Sequence, residues 1–362
     1  MRKFYQETIF NNNGNSDVST TSNEKNLELG IVQLLNELLK KNEIVEIKES
    51  LKILLNNKNN KINGNHNISQ DDIEKVINSY SLERTKYYIK KIIKSITEIK
   101  TTNYNDINLN RWKDYDDIIT DSLWVLGKRD NSGAHNGQYW GNFVPQIPNQ
   151  LMKRYTKKGD WILDPFLGSG TTLIEARKLG RNAIGIELQE EVAQIAQNTI
   201  NTEKNLYNVK TTVKIGDSSK LDFKQILAEE NIDKVQFVIM HPPYWDIIKF
   251  SENTEDLSNS KTLDDFLYKI GQITDNSLSI LEANRFFILV ISDKYYEGEW
   301  IPLAFLTMQE ILKRKCILKS IIVKNFEETK GKMNQKELWR YRALVGGFYI
   351  FKHEYIFLFQ KK

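Results

Sequence analysis

Asp164-Pro165-Phe166-Leu167-Gly168-Ser169-Gly170-Thr171-Thr172 is the stretch that decides the fold. A short apolar run, 161–163, precedes this glycine turn, and a helical pattern at 173–179 follows it. Glycines between a strand and a helix let the backbone approach a ligand closely, and the helix start offers unpaired N–H groups. The turn therefore predicts a nucleotide-binding unit. The third glycine of the dinucleotide fingerprint is missing, which argues against NAD.

Outward from this turn, strand and helix patterns alternate. Strands are predicted at 182–187, 211–215, 235–240, 286–291, 318–323 and 355–359, and helices at 190–199, 263–281 and 300–313. Alternation of this kind predicts a mostly parallel α/β sheet with helices on both faces. With the strand at 161–163, we expect seven strands.

Two acidic residues lie at the ends of the second and third predicted strands, where they could bind a nucleoside. Glu187 ends the second strand roughly 20 residues after the first glycine, where an acid can hold a ribose diol. Asp217 follows the third strand and could meet the adenine end of the same ligand. The alternative is a tight turn with two surface acids.

A second motif, His241-Pro242-Pro243-Tyr244-Trp245, stands at the end of the fourth strand. With the glycine turn and its Thr171-Thr172 pair, it resembles the DNA amino-methyltransferases, whose catalytic motif is Asp/Asn/Ser-Pro-Pro-Tyr/Phe/Trp. The resemblance covers about residues 120–360. It implies a Rossmann-like class I methyltransferase fold, S-adenosyl-L-methionine as cofactor, and methyl transfer to a base amino group in double-stranded DNA.

The resemblance implies a role for each residue of the second motif. An exocyclic amino nitrogen is a poor nucleophile until acceptors such as the Pro242 carbonyl take its hydrogens, and the rigid Pro242-Pro243 backbone directs such carbonyls. Tyr244 would stack on a base taken out of the helix. His241 departs from the family motif; a neutral imidazole can still accept one hydrogen bond. Alternatively, His241 only bonds to the backbone. Adenine N6 is slightly favoured over cytosine N4.

The resemblance also implies the cofactor contacts. The segment 139–148 resembles the part of the family that closes over the methionine moiety, although it could be an ordinary aromatic packing loop. The expected contacts there are Phe143, Pro145 and Gln146. Those expected from the glycine turn and the two acids are Asp164, Phe166, Gly168, Ser169, Gly170, Thr171, Thr172, Glu187 and Asp217.

Three regions are expected along the chain. Residues 1–26 are poor in apolar residues and predict a flexible arm, 27–110 show a helical pattern, and 111–362 form the catalytic domain. No long insertion separates the two motifs, so the helical domain is the candidate for target recognition. The segment 251–261 is predicted to be mobile. The expected DNA contacts are Trp245, Lys330, Lys332, Lys336, Arg340 and Arg342. The alternative for the basic segment 324–342 is a solvated hairpin.

Composition narrows the function only slightly. The net charge of +4 permits nucleic-acid binding without requiring it. One cysteine and four scattered histidines predict no metal site and no disulfide. No signal peptide or membrane span is recognisable, so a cytoplasmic location is expected. We expect a role in restriction-modification or phage defence, the former with a restriction endonuclease as a further partner; the oligomeric state is left open.

Three other functions are kept open by the sequence. An RNA base methyltransferase carries similar Pro-Pro-Tyr motifs, and a glutamine-amide protein methyltransferase carries Asn-Pro-Pro-Tyr. A catalytically inactive DNA-binding subunit would account for His241.

Overall fold

The structure is a computed structural model and describes residues 19–56, 70–137, 139, 141–326 and 336–362. Two compact units divide the chain. The first comprises Met1–Thr102 and Ile107–Asp116, and the second Asn103–Asp106 and Asp117–Lys362. In the described residues, no helix is long and apolar enough to cross a membrane.

The first unit is helical. Its helices are α1 (Ser19–Lys40), α2 (Ile44–Asn56), α3 (Gln70–Ile77) and α4 (Leu82–Thr97). Apolar side chains at helical spacing, including Leu35, Ile47 and Ile89, form its buried core. Helix α1 begins inside the segment predicted to be a flexible arm, and residues 1–18 lie outside the described residues.

The second unit is built on an eight-stranded sheet with the order β1-β9-β10-β6-β5-β2-β3-β4. Only β10 runs antiparallel to its neighbours in this sheet. The strands are β1 (Leu123–Trp124), β2 (Trp161–Asp164), β3 (Asn182–Glu187), β4 (Thr211–Ile215), β5 (Val235–Met240), β6 (Leu281–Ile291), β9 (Cys316–Asn325) and β10 (His353–Lys361). The predicted Rossmann-like α/β class is confirmed. The count exceeds seven because the two-residue β1 pairs with β9 and forms the edge of the sheet.

Helices cover both faces of this sheet. They are α5 (Gln146–Tyr155), α6 (Thr171–Leu179), α7 (Glu190–Thr202), α8 (Phe223–Glu229), α9 (Leu263–Ile280) and α10 (Leu303–Leu312), whereas the side chains of α11 (Lys336–Gly346) are mostly exposed. Along β6, Phe287 and Leu289 join one buried cluster while Phe286 and Ile288 join the other. A strand buried on both faces has an uninterrupted apolar sequence, which is why these strands were predictable.

The helix predicted at 300–313 begins only at Leu303. Trp300 lies instead in β8 (Glu299–Ile301), which pairs with β7 (Lys294–Tyr296) as a separate hairpin. The Trp300 ring packs 4.1 Å from the Phe351 ring between centroids, and its Nε1 donates to Asp293 Oδ2 at 3.0 Å. These contacts with distant residues outweigh the local helical pattern.

Candidate active site

One cavity of about 1250 Å³ is lined by both sequence motifs. It lies where β2, β3 and β5 end, because parallel strands place their carboxyl ends at one edge of a sheet. The cavity is therefore where a nucleotide ligand and a second substrate could meet. The predicted residues that line it are Phe143, Phe166, Gly168, Ser169, Glu187, Asp217, His241, Pro242, Pro243 and Tyr244.

The two glycines of the turn have different structural roles. Gly168 has φ +52°, and its N–H donates to Glu187 Oε2 at 2.9 Å. Gly170 has φ +88°, and a Cβ there would lie 2.9 Å from Ile200 Cδ1 in α7. Both conformations favour glycine. Gly168 thus borders the cavity, whereas Gly170 lets the turn pack against a helix.

Glu187 and Asp217 are acceptors suited to a nucleoside. Glu187 also accepts the N–H of Gln189 through Oε1 at 3.0 Å, and burial raises its pKa. Asp217 Oδ1 accepts Ser219 N–H at 2.8 Å, whereas Oδ2 has no hydrogen-bond partner among the described residues and only an ion pair with Lys220 Nζ at 3.7 Å. Buried acceptors normally have donors. A ligand hydroxyl or amino group would satisfy this oxygen.

Several predicted cofactor contacts lie behind the cavity wall. Asp164 is buried below the turn, where its Oδ1 accepts the Phe166 N–H at 2.9 Å and burial raises its pKa to about 6. Thr171 Oγ1 donates to Asn142 Oδ1 at 2.6 Å, and Asn142 lines the cavity. Gly170 and the fully buried Thr172 are also absent from the lining. These residues support the turn.

Pro145 and Gln146 do not line the cavity either. Pro145 caps α5, and both ends of the Gln146 side chain bind backbone. Its Nε2 donates to Lys128 O at 2.6 Å, and its Oε1 accepts the Asp130 N–H at 3.2 Å. The Gln146 amide therefore holds the 128–130 loop, and the structure places neither residue in the cavity lining where the cofactor contacts were predicted.

His241 belongs to a hydrogen-bonded chain of four side chains. His241 Nε2 lies 3.0 Å from Tyr244 Oη, which donates to Glu354 Oε2 at 2.9 Å. Glu354 Oε1 pairs with Lys324 Nζ at 2.9 Å. Burial lowers the pKa of His241 to about 4, so the ring is neutral near pH 7. Burial and Glu354 raise the pKa of Tyr244.

Glu354 and Lys324 were missed by the sequence analysis, although both line the cavity and are buried. The available signal was a charged residue directly beside an apolar run in each strand. Lys324 follows Ile321-Ile322-Val323 in β9, and Glu354 precedes the apolar part of β10. Charged residues are rarely buried without a partner. The two strands place each beside the other, because Glu354 is the register partner of Lys324.

Trp245 is held by protein contacts. Its backbone has φ +52°, and its Nε1 donates to Ser260 O at 2.8 Å. Lys294 Nζ lies 4.3 Å from the Trp245 ring centroid and also pairs with Asp246. The indole is therefore engaged in holding the loop that follows Tyr244. This packing argues against the predicted DNA contact of Trp245.

The segment predicted to be mobile at 251–261 is tied together by its own hydrogen bonds. Asp256 Oδ1 accepts the Ser258 N–H at 2.9 Å, and Oδ2 accepts Ser251 Oγ at 2.7 Å. Just before the segment, Phe250 stacks with Tyr139 at 6.4 Å between centroids, and both rings line the cavity. Aspartate and serine side chains thus form local turns here, and the mobility of the segment stays a prediction.

The basic residues predicted to contact DNA divide into two groups. Lys330 and Lys332 lie outside the described residues, and so does the side chain of Lys336. Arg340 and Arg342 are exposed on α11. Trp339 of the same helix lines the cavity. In the part of the chain that the structure describes, no group of three potential ligands could hold a metal ion.

Comparison with known proteins supports this assignment of motifs. A sequence model described as DNA methylase matches residues 7–198, more than half of the chain. A model of the RMKL-like methyltransferase domain matches residues 151–273.

Three curated relatives are similar over parts of the chain. Type II methyltransferase M.MjaII of Methanocaldococcus jannaschii is 29% identical over 163 residues, covering 43% of this chain and 29% of that protein. Type II methyltransferase M.HindIII of Haemophilus influenzae is 45% identical over 108 residues, covering 28% of this chain and 32% of that protein. The tRNA (guanine(10)-N2)-dimethyltransferase of Methanocaldococcus jannaschii is 39% identical over 106 residues, covering 29% of each chain.

The matched part of this chain spans less than a third of the length of each of these relatives. The family, by contrast, is matched over more than half of the chain and includes the glycine turn. The chain therefore belongs to the DNA methylase family, and S-adenosylmethionine is its cofactor.

Proposed function

We propose that this protein transfers a methyl group from S-adenosylmethionine to the exocyclic amino group of a base in DNA, with adenine N6 ahead of cytosine N4. The observation that carries the proposal is the single cavity lined by the glycine turn, Glu187 and Asp217 and also by the loop from His241 to Tyr244. A methyl donor and an amino acceptor must meet within one enclosed site.

The residues present fit the cofactor. S-adenosylmethionine supplies an electrophilic methyl group on a sulfonium. Glu187 would accept the ribose hydroxyls, and Asp217 Oδ2, which is ion-paired with Lys220 Nζ at 3.7 Å, would gain a hydrogen bond. Gly168 allows the backbone to approach the nucleoside closely. These assignments use only residues that line the cavity.

The loop from His241 to Tyr244 would prepare the base. The neutral His241 ring and the Pro242 carbonyl would each accept an N–H of the amino group, which frees the nitrogen lone pair from the aromatic ring. Tyr244 would stack on the base, which must leave the duplex to enter the cavity. The bound cofactor would supply the methyl group to this nitrogen and keep the carbon–sulfur electron pair, and the surplus proton of the amino group would leave through His241 or water.

The proposal extends to DNA recognition. Arg340 and Arg342 lie exposed on the helix whose Trp339 lines the cavity, which suits contacts to phosphates beside a flipped base. We propose that the helical region 27–110 reads the target sequence. The similarity to Type II methyltransferases also suggests a role in restriction-modification, with an endonuclease of the same specificity as partner.

The test is methyl transfer from labelled S-adenosylmethionine to unmethylated DNA, followed by mass spectrometry of the nucleosides. N6-methyladenine or N4-methylcytosine in the product supports the proposal and identifies the base. A Tyr244→Ala variant should bind cofactor normally and transfer no more than about 1% as fast, because the stacking surface is lost. DNA that stays unlabelled would refute the proposal.

A second candidate is an RNA base methyltransferase, favoured by the similarity to the tRNA (guanine(10)-N2)-dimethyltransferase. Unmodified tRNA in the same assay tests it. Labelled tRNA together with unlabelled DNA would replace the first proposal by the second.

A further inference from the structure

We propose that Glu354 and Lys324 select the tautomer of His241 through the Tyr244 hydroxyl, so that Nδ1 of His241 is the atom that accepts an N–H of the target amino group. Glu354 and Lys324 are then positioning residues. The use of Nδ1 rests on the proposed function, whereas the choice of tautomer does not depend on it.

The directions of the two hydrogen bonds made by the Tyr244 hydroxyl follow from the groups that make them. An ionised carboxylate can only accept, and a phenol hydroxyl has a single hydrogen. Tyr244 therefore donates to Glu354 Oε2 at 2.9 Å and has no hydrogen left for His241. His241 Nε2, at 3.0 Å from Tyr244 Oη, must itself carry the hydrogen and donate it. In the neutral ring, Nδ1 is then bare.

These hydrogen-bond directions require that Glu354 is ionised. This carboxylate is 7% exposed, and Lys324, which is 6% exposed, pairs with its other oxygen at 2.9 Å. An unpaired buried carboxylate would take up a proton. A protonated Glu354 could donate to Tyr244, and the hydroxyl would then donate to His241 Nε2. That reversal would place the hydrogen on Nδ1.

The tautomer of His241 determines whether its Nδ1 can accept a hydrogen bond from the substrate. Among the described residues, His241 Nδ1 has no hydrogen-bond partner, and the ring lines the cavity. The Phe143 ring meets the imidazole edge-on at 4.8 Å between centroids and limits its rotation. A bare Nδ1 can accept from an amino group, whereas Nδ1–H would oppose it. The four-residue chain thus allows histidine where the family motif has Asp, Asn or Ser.

The test is the tautomer of His241, measured by long-range ¹H–¹⁵N correlation on the full-length protein with ¹⁵N-labelled histidine. This spectrum distinguishes Nε2–H from Nδ1–H without any substrate. A His241→Asn variant assigns the signal among the four histidines. We expect Nε2–H in the wild type.

Glu354→Gln is the informative variant. Lys324 can only donate, so the Gln oxygen should turn to Lys324 and the NH₂ to Tyr244, which reverses the chain and moves the hydrogen to Nδ1. Tyr355→Phe is the matched control. It removes the hydroxyl 3.0 Å from His353 Nε2 on the same strand, and should shift the His353 signal while leaving His241 unchanged.

Activity provides a second readout. Glu354→Gln should lower kcat about 10- to 100-fold, as expected for a lost hydrogen bond that becomes an opposed donor, and leave the Kd for cofactor within about two-fold. Nδ1–H in the wild type, which requires no variant to fold, would overturn the inference. So would an unchanged tautomer in a folded Glu354→Gln protein. Nε2–H with the expected reversal, but no methylation of any base, would support this inference and refute the proposed function.

Discussion

Replacing Gly170 by alanine should destabilise the catalytic unit by two separable effects. The residue has φ +88°, a conformation that costs a residue with a Cβ about 1–2 kcal/mol, of which some is recovered because the unfolded chain becomes less flexible. The new Cβ would also lie 2.9 Å from Cδ1 of Ile200, which is fully buried. Overpacking of this kind costs about 1–3 kcal/mol. We expect a total loss of about 2–4 kcal/mol.

Gly159→Ala separates the two effects. Gly159 has φ +83° and would have nothing within 4 Å of an added Cβ, so only the backbone cost of about 1 kcal/mol should remain. The assay is urea unfolding of both variants. Ile200→Val removes the methyl group nearest to the new Cβ, and in the Gly170→Ala background it should cost about 1–2 kcal/mol less than it does alone.

Equal losses for Gly159→Ala and Gly170→Ala, or no coupling with Ile200→Val, would refute the packing role of Gly170. Because Gly170 does not line the cavity, the folded variant should keep its Kd for S-adenosylmethionine within about three-fold.

Four further predictions follow from the site. Glu187→Gln should raise the Kd for cofactor about 10- to 100-fold by calorimetry, because an amide cannot accept from both Gly168 and Gln189 N–H; an unchanged Kd would contradict this role. Asp164 has a pKa of about 6 in the folded protein against 3.8 in the unfolded chain, so its ionisation lowers the free energy of unfolding as pH rises through this range. In urea unfolding, Asp164→Asn should therefore raise the free energy of unfolding by about 1–3 kcal/mol at pH 8 and by little at pH 4. The folded pKa of His241 is about 4, below its ordinary 6.5, so the neutral ring stabilises the fold fully above pH 6.5 and this stabilisation is lost as pH falls to 4. Between pH 7 and 4.5, the free energy of unfolding should therefore fall by about 2 kcal/mol less in His241→Asn than in the wild type, as measured by urea unfolding. Replacing Arg340 and Arg342 by alanine should lower the slope of log affinity for DNA against log salt by about 2, whereas Trp245→Phe should leave it unchanged.

Much of the fold was predictable because the central strands are buried on both faces. The strands at 182–187 and 235–240 lie inside the sheet and have the bounds that their apolar runs predicted, and the half-buried edge strand at 211–215 also has its predicted bounds. The hairpin from β7 to β8 was not predicted, because Trp300 owes its position to Asp293 and Phe351 rather than to local periodicity. Local patterns describe elements that burial alone defines.

The site was predictable only where its residues follow one another in the chain. The turn from Phe166 to Ser169 and the loop from His241 to Tyr244 were both found as motifs and line one cavity. Glu354 was missed because it lies 110 residues beyond Tyr244, and only the position of β10 in the sheet brings them together. The structure places the Gln146 amide against the 128–130 loop and not in the cavity lining, a position that the sequence could not give.

The position of β10 also bears on the order in which the protein becomes competent during synthesis. This strand lies between β6 and β9, so the sheet stays split until residues around 353–361 have left the ribosome. The glycine turn and Glu187 emerge far earlier, whereas Glu354 arrives with the last strand. A nascent chain could therefore assemble the glycine turn and Glu187 before the cavity wall that contains Glu354. We expect the cavity to become complete only after residues 353–361 have emerged from the ribosome.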